Sequence, residues 1–188
     1  MKGAVSKLVL LCAALSSAGI ASANIVPNLV SVTGSGPYTF NYNVVLDDQQ
    51  NLINGSQLCF ADIKGLTGGV SAPAGWAGSM SSGACPIAAG VTVPNSGSSV
   101  DFVYSGMTIV GANQSLGMFS FQDIYGGTDG ANVAFGATAQ KKSNSSPTAN
   151  QGEVNGPFAS APEPMSLLLM GSALVGLGLR RRQGRSAA

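Results

Sequence analysis

No histidine occurs in the 188-residue chain. That absence removes the Ser-His-Asp and Cys-His systems, which need imidazole as their base. It also removes His-ligated zinc and haem. Charge is scarce: Lys and Arg together number 9, Asp and Glu 8. Between residues 24 and 160 there is no arginine. Lys64, Lys141 and Lys142 stand there against Asp47, Asp48, Asp62, Asp101, Asp123, Asp129 and Glu153, a net charge of −4. A mildly acidic stretch of this kind has no electrostatic footprint for nucleic acid.

What charge there is gathers at the two ends. Lys2 and Lys7 flank a start that runs into the apolar stretch Leu8 to Leu15, followed by small residues ending in Ala21-Ser22-Ala23. A charged n-region, a short h-region and an A-x-A site describe a signal peptide spanning 1–23 and cleaved after Ala23. The competing reading is a buried N-terminal helix. Cys12 sits within the apolar core behind Val9-Leu10-Leu11. A lipidated cysteine would lie at the cleavage point after a small residue, so Cys12 is expected to leave with the signal.

At the other end, Met165 to Leu179 is a run of 15 apolar or small residues. As a helix it reaches about 22 Å, short of a ~30 Å hydrocarbon core, so length alone also permits a core helix. Arg180, Arg181, Arg182 and Arg185 follow at once. Snorkelling arginines extend a short span, and their clustering on one side fits the positive-inside rule. Pro162 and Pro164 forbid helix upstream, so the helix is expected to start near Met165. Ser172 and Gly176 form one small-xxx-small pair. Taken together these features predict a transmembrane span over 165–179, with an exported body and a cytoplasmic Arg tail.

The ordered set Pro162-Glu163-Pro164, a short glycine-containing apolar helix, then Arg180-Arg181-Arg182 resembles the PEP-CTERM sorting signal of Gram-negative bacteria. The likeness covers about 25 residues, within a sorting segment at 161–188. It implies recognition of the tripeptide by an exosortase, an integral-membrane transpeptidase-like enzyme, after a transient stay in the inner membrane. It also implies release to the cell surface or matrix of a bacterium that makes exopolysaccharide. Neither an LPxTG motif nor a GPI-type tail fits as well.

Residues 24–160 suit one domain. Gly, Ser, Asn and Thr abound and helix formers are few, which points to short strands joined by turns. In PYTFNYNVVL, Tyr38, Phe40, Tyr42, Val44 and Leu46 alternate with Thr39, Asn41 and Asn43, the mark of a strand with one buried face. Asp47-Asp48-Gln49-Gln50 reads as a turn. Further strands are expected at 29–33, 57–63, 91–93, 100–104, 107–110, 116–121 and 132–139. Residues 65–83 read as a glycine-rich connection carrying the lone Trp76. From 140 to 160 the chain turns polar and reads mostly as a flexible spacer, with Val154 at most ending a last strand. About eight strands at this spacing predict an all-β antiparallel β-sandwich over 24–139, without internal repeats. YTFNYNVVLDDQQ, LCFADIKGLTG and APAGW also look like body segments of other PEP-CTERM proteins.

Cys59 and Cys85 survive processing. An even count in an exported domain favours a disulfide; two free thiols are the alternative. With no histidine to complete a ligand set, no metal site and no cofactor are expected. Asp47, Asp48, Asp101, Asp123 and Asp129 could in principle supply an acid and a base, but their contexts read as turns and solvent-facing strand positions. Asp123 to Asp129 in DIYGGTDG could give oxygen ligands to Ca²⁺, but the stretch lacks a full ligand register and an ordinary Gly-rich turn is the favoured reading. Trp76, Tyr38, Tyr42 and Tyr125 could stack on sugars or pack internally. Asn54-Gly-Ser, Asn113-Gln-Ser and Asn144-Ser-Ser match the glycosylation sequon. The resulting expectation is a non-enzymatic exported protein associated with exopolysaccharide or biofilm. Its rivals are a carbohydrate-binding module and, behind it, a glycoside hydrolase.

Overall fold

The computed structural model describes residues 25–158, apart from 86, 88–90, 92, 94–96 and 129–131. The expected signal peptide with Ala21 and Ala23 lies outside the described residues. So does the tail with Pro162, Glu163, Pro164, Arg180, Arg181, Arg182 and Arg185. Among the described residues there is no helix. Eleven strands run as β1 (Ile25–Thr33), β2 (Tyr38–Leu46), β3 (Gln50–Leu52), β4 (Gln57–Ile63), β5 (Leu66–Ser71), β6 (Trp76–Ser81), β7 (Ser98–Tyr104), β8 (Ile109–Val110), β9 (Gln114–Asp123), β10 (Asn132–Lys141) and β11 (Pro147–Asn155).

They form two antiparallel sheets. The first has the order β1-β2-β9-β5; the second runs β6-β7-β4-β10, with β11 on the far side of β10. Gln140 and Lys141 pair with β3, on the β10 edge that Ala134–Ala137 give to β4. β3 and β4 thus act as one strand interrupted by the Ile53–Ser56 turn, closed by Ser56 N–H to Ile53 O at 2.9 Å. Both sheets present their alternating apolar residues to each other. Phe40, Tyr42, Phe119 and Phe121 come from the first, Leu58, Phe60, Phe102 and Val133 from the second. Tyr42 and Phe60 approach ring to ring at 4.7 Å, Phe102 and Phe119 edge-on at 5.0 Å, and Trp76 meets Phe119 edge-on at 5.1 Å. Offset and edge-to-face contacts of this kind add to the area that these large rings bury.

Three expectations need correction. The polar stretch read as a spacer over 140–160 holds the end of β10 and all of β11. Nine successive pairs from Asn132↔Asn155 to Gln140↔Pro147 join it to β10, so the body does not end at 139. A strand needs backbone partners more than apolar side chains, and PTANQGEVN supplies these on a solvent-washed edge. Residues 65–83 are not one connection but β5 and β6. Val91 and Val93 belong to no strand: Val93 is buried as packing against the outside of the second sheet.

Candidate functional site

On the inner side of β4 and β7, Leu58, Phe60, Val100 and Phe102 fill the core. Their outer side carries the register row Ser79–Asp101–Cys59–Gly136, read across β6, β7, β4 and β10. An outer face normally meets water, yet here Cys59, Ala61, Ser99 and Asp101 are buried. The cover comes from the connection between β6 and β7. Cys85 in that connection is disulfide-bonded to Cys59, with a Cα–Cα distance of 5.8 Å. Ser99 Oγ donates to Gly83 O at 3.0 Å. Gly136 makes the room: a Cβ there would fall 2.5 Å from Val93 Cγ2 and 3.2 Å from Ile87 Cγ1.

Asp101 is trapped beneath this cover, 7% exposed, and its Oδ1 has no hydrogen-bond partner among the described residues. Removal from water penalises the carboxylate, and its pKa is pushed up to about 6. A second buried acid closes one end of the sandwich. Asp123, at the end of β9, is 0% exposed. Its Oδ1 accepts the Tyr125 N–H at 2.7 Å, while Oδ2 has no partner among the described residues. Burial raises its pKa, and backbone hydrogen bonds from Tyr125 and Gly65 oppose the rise. The approach of the β4–β5 turn depends on Gly65, whose Cβ would collide with Asp123 Oδ1. Burial first, and the Asp123 charge second, also hold the Tyr42 phenol above its ordinary pKa. Its hydroxyl donates to Asn155 O of β11 at 3.1 Å.

The remaining candidates scatter. Asp47 and Asp48 lie in the β2–β3 turn, where Asp47 Oδ1 accepts the Gln49 N–H at 2.8 Å and Asp48 Oδ1 the Gln49 Nε2 at 3.1 Å. Asp101 belongs to the second sheet and Asp123 to the first, and no register pair joins two carboxylates. Asp129 lies outside the described residues. Among the described residues no group of three metal-ligating side chains occurs. Tyr38 sits half-buried beside the glycines that follow Tyr125, so a Cβ at Gly126 would strike its ring. Trp76 packs inward against Tyr104 at 5.2 Å and against Phe119. The three sequon asparagines, Asn54, Asn113 and Asn144, are all exposed in turns.

Sequence reasoning missed Asn150. Its side chain faces inward from β11 and bonds the backbone of Ile25 on both sides. The only signal available was one amide in a strand not recognised as a strand. The buried state of Asp101 was also missed, because it depends on a loop covering the outer face.

The fold therefore defines an all-β, antiparallel two-sheet domain closed by one disulfide. No protein-family model matches the chain, and no curated protein matches it in sequence.

Proposed function

We propose that this chain is a non-enzymatic exported protein of the cell surface or extracellular matrix of a Gram-negative bacterium, sorted by an exosortase and associated with exopolysaccharide or biofilm. The observation that carries the reading is the ordered tail: Pro162-Glu163-Pro164, the apolar run 165–179, then Arg180, Arg181, Arg182 and Arg185. In this reading a signal helix at 1–23 starts export and the 165–179 helix holds the body transiently in the inner membrane. The Cys59–Cys85 disulfide supports the reading, since such bonds persist in oxidising compartments. The scatter of the carboxylates favours a structural body over a glycoside hydrolase, and the inward packing of Trp76 favours it over a sugar-binding module.

The test is processing. In this reading two prolines would keep residues 162–164 out of helical geometry, and Glu163 is the one charge there, suited to a basic enzyme pocket. Glu163→Ala should leave export intact and trap an unprocessed, membrane-bound form that retains Arg180 to Arg185, visible by intact mass in cell and medium fractions. Processing of the variant like wild type removes Glu163 as the determinant. A wild type that keeps its arginines at steady state is a plain membrane-anchored protein.

A further inference from the structure

Sheet edges invite other strands unless something blocks them. Three of the four long edges here are blocked. β1 carries Pro27 and a register shift between Leu29 and Ser31. β5 carries two register shifts, with Gly68 at φ 136° and Gly69 at φ 59°. β11 begins with Pro147 and carries Glu153. β6 has none of these devices. Its six residues, WAGSMS, pair with β7 without a shift, hold no charge and no proline, and are exposed from Ala77 onward.

The Ser105 N–H bonds to Gly75 O at 2.7 Å, just before the strand. In an alternating antiparallel ladder the odd positions 77, 79 and 81 then bond to β7, and Gly78 and Met80 turn both N–H and C=O to the open edge. Trp76 turns only its C=O there, because its N–H donates to Pro73 O at 3.1 Å. The side chains of these three positions share the inner face: Trp76 packs on Phe119, and a Cβ at Gly78 would strike Val70 and Phe102. Met80 remains 52% exposed.

We infer that β6 pairs antiparallel with β6 of a second copy about a two-fold axis through Gly78, joining two second sheets into one. The axis sets Gly78 opposite Gly78 of the partner subunit, where no side chains compete, and Trp76 opposite Met80 of the partner subunit, twice. Each exposed Met80 thioether then gains an aromatic edge, a favourable sulfur contact. About four hydrogen bonds complete the ladder, since the Trp76 N–H of each copy stays on Pro73 O, and with no charge on either strand nothing repels across the axis. A partner strand of different sequence would lack the reciprocal Trp–Met match. One edge pair buries little area, so the dimer is a weak one that depends on concentration.

The experiment is sedimentation velocity on the full chain in a non-ionic detergent, over about a hundredfold concentration range, with two variants beside wild type. Wild type should move from monomer towards dimer. Met80→Lys, which puts a charge on the edge, should weaken dimerisation about tenfold or more. Val30→Lys, at a position 60% exposed on β1, should leave it unchanged. A wild type that stays monomeric throughout, or a dimer equally strong with Met80→Lys, overturns the inference. A second measurement does not depend on that variant folding. In this register Ala77 lies opposite Ser79 of the partner subunit at a non-hydrogen-bonded site, where Cα atoms stand about 4.5 Å apart, within disulfide reach. The double variant Ala77→Cys with Ser79→Cys should therefore oxidise to a covalent dimer, peptide mapping joining position 77 of one copy to position 79 of the other. Failure of that link to form also overturns it.

Discussion

The side-chain amide of Asn150 stands in for a missing strand at the backbone of Ile25: Nδ2 donates to Ile25 O at 3.0 Å, and Oδ1 accepts the Ile25 N–H at 3.5 Å. Ile25 begins β1 at one edge of the first sheet, and Asn150 sits in β11 at the edge of the second. With Tyr42 Oη to Asn155 O, this gives three side-chain bonds that lace β11 to the first sheet on that side of the sandwich.

Asn150→Ala should therefore destabilise the body by about 1–3 kcal/mol, the cost of leaving buried backbone groups unpaired. The residue is only 8% exposed, so water cannot readily replace the amide. Urea unfolding of the variant beside the unsubstituted protein measures the loss. If 147–155 were a spacer, the midpoint would not move.

The disulfide closes 26 positions and adds about 3.5 kcal/mol in the chain-entropy model. Replacing Cys59 and Cys85 together by Ala should lower stability by about that amount and loosen the cover over the outer face. Non-reducing peptide mapping of the protein should find the linked pair. Quantitative alkylation of both cysteines without prior reduction would be incompatible with the bond.

Burial raises the Asp101 pKa to about 6 from an ordinary 3.8. Between about pH 4 and pH 6 the native state therefore holds a proton that the unfolded chain has lost, so unfolding releases protons and stability falls as pH rises. Asp123 is shifted in the same direction and adds to the slope. Asp101→Asn, which keeps a neutral side chain of the same size, should flatten part of the decline and stabilise the protein above pH 6. Unfolding midpoints at pH 4, 6 and 8 for both proteins decide this. A wild type that gains stability from pH 4 to 8 would refute it.

Where the pleat sorted apolar from polar residues, the strands were legible. Tyr38–Leu46 and Gln57–Ile63 were read with the bounds they have, and the all-β antiparallel class with them. What stayed hidden was structure whose stability lies in the backbone. β5 and β6 are rich in Gly, Ser and Ala, residues that signal turns, and β11 is almost wholly polar. Val93 mimicked a strand residue because a plug on a sheet face and a strand both need an apolar side chain. The buried carboxylates were legible as residues but not as sites, since what buries Asp101 is a loop tied by a disulfide from another part of the chain.

Trp76 separates a packed body from a sugar-binding module. A binding tryptophan presents its face to solvent, whereas Trp76 meets Tyr104 at 5.2 Å and Phe119 at 5.1 Å. Trp76→Ala should thus act on stability. Large aromatic to Ala changes in cores cost about 3–5 kcal/mol, and this half-buried ring should fall near the lower end, about 3 kcal/mol. Polysaccharide pull-down and glycan arrays on residues 24–160 should show at most weak binding that neither Ca²⁺ nor the substitution changes. A stable Trp76→Ala variant that loses tight saccharide binding would reverse the ranking and make the ring a ligand platform.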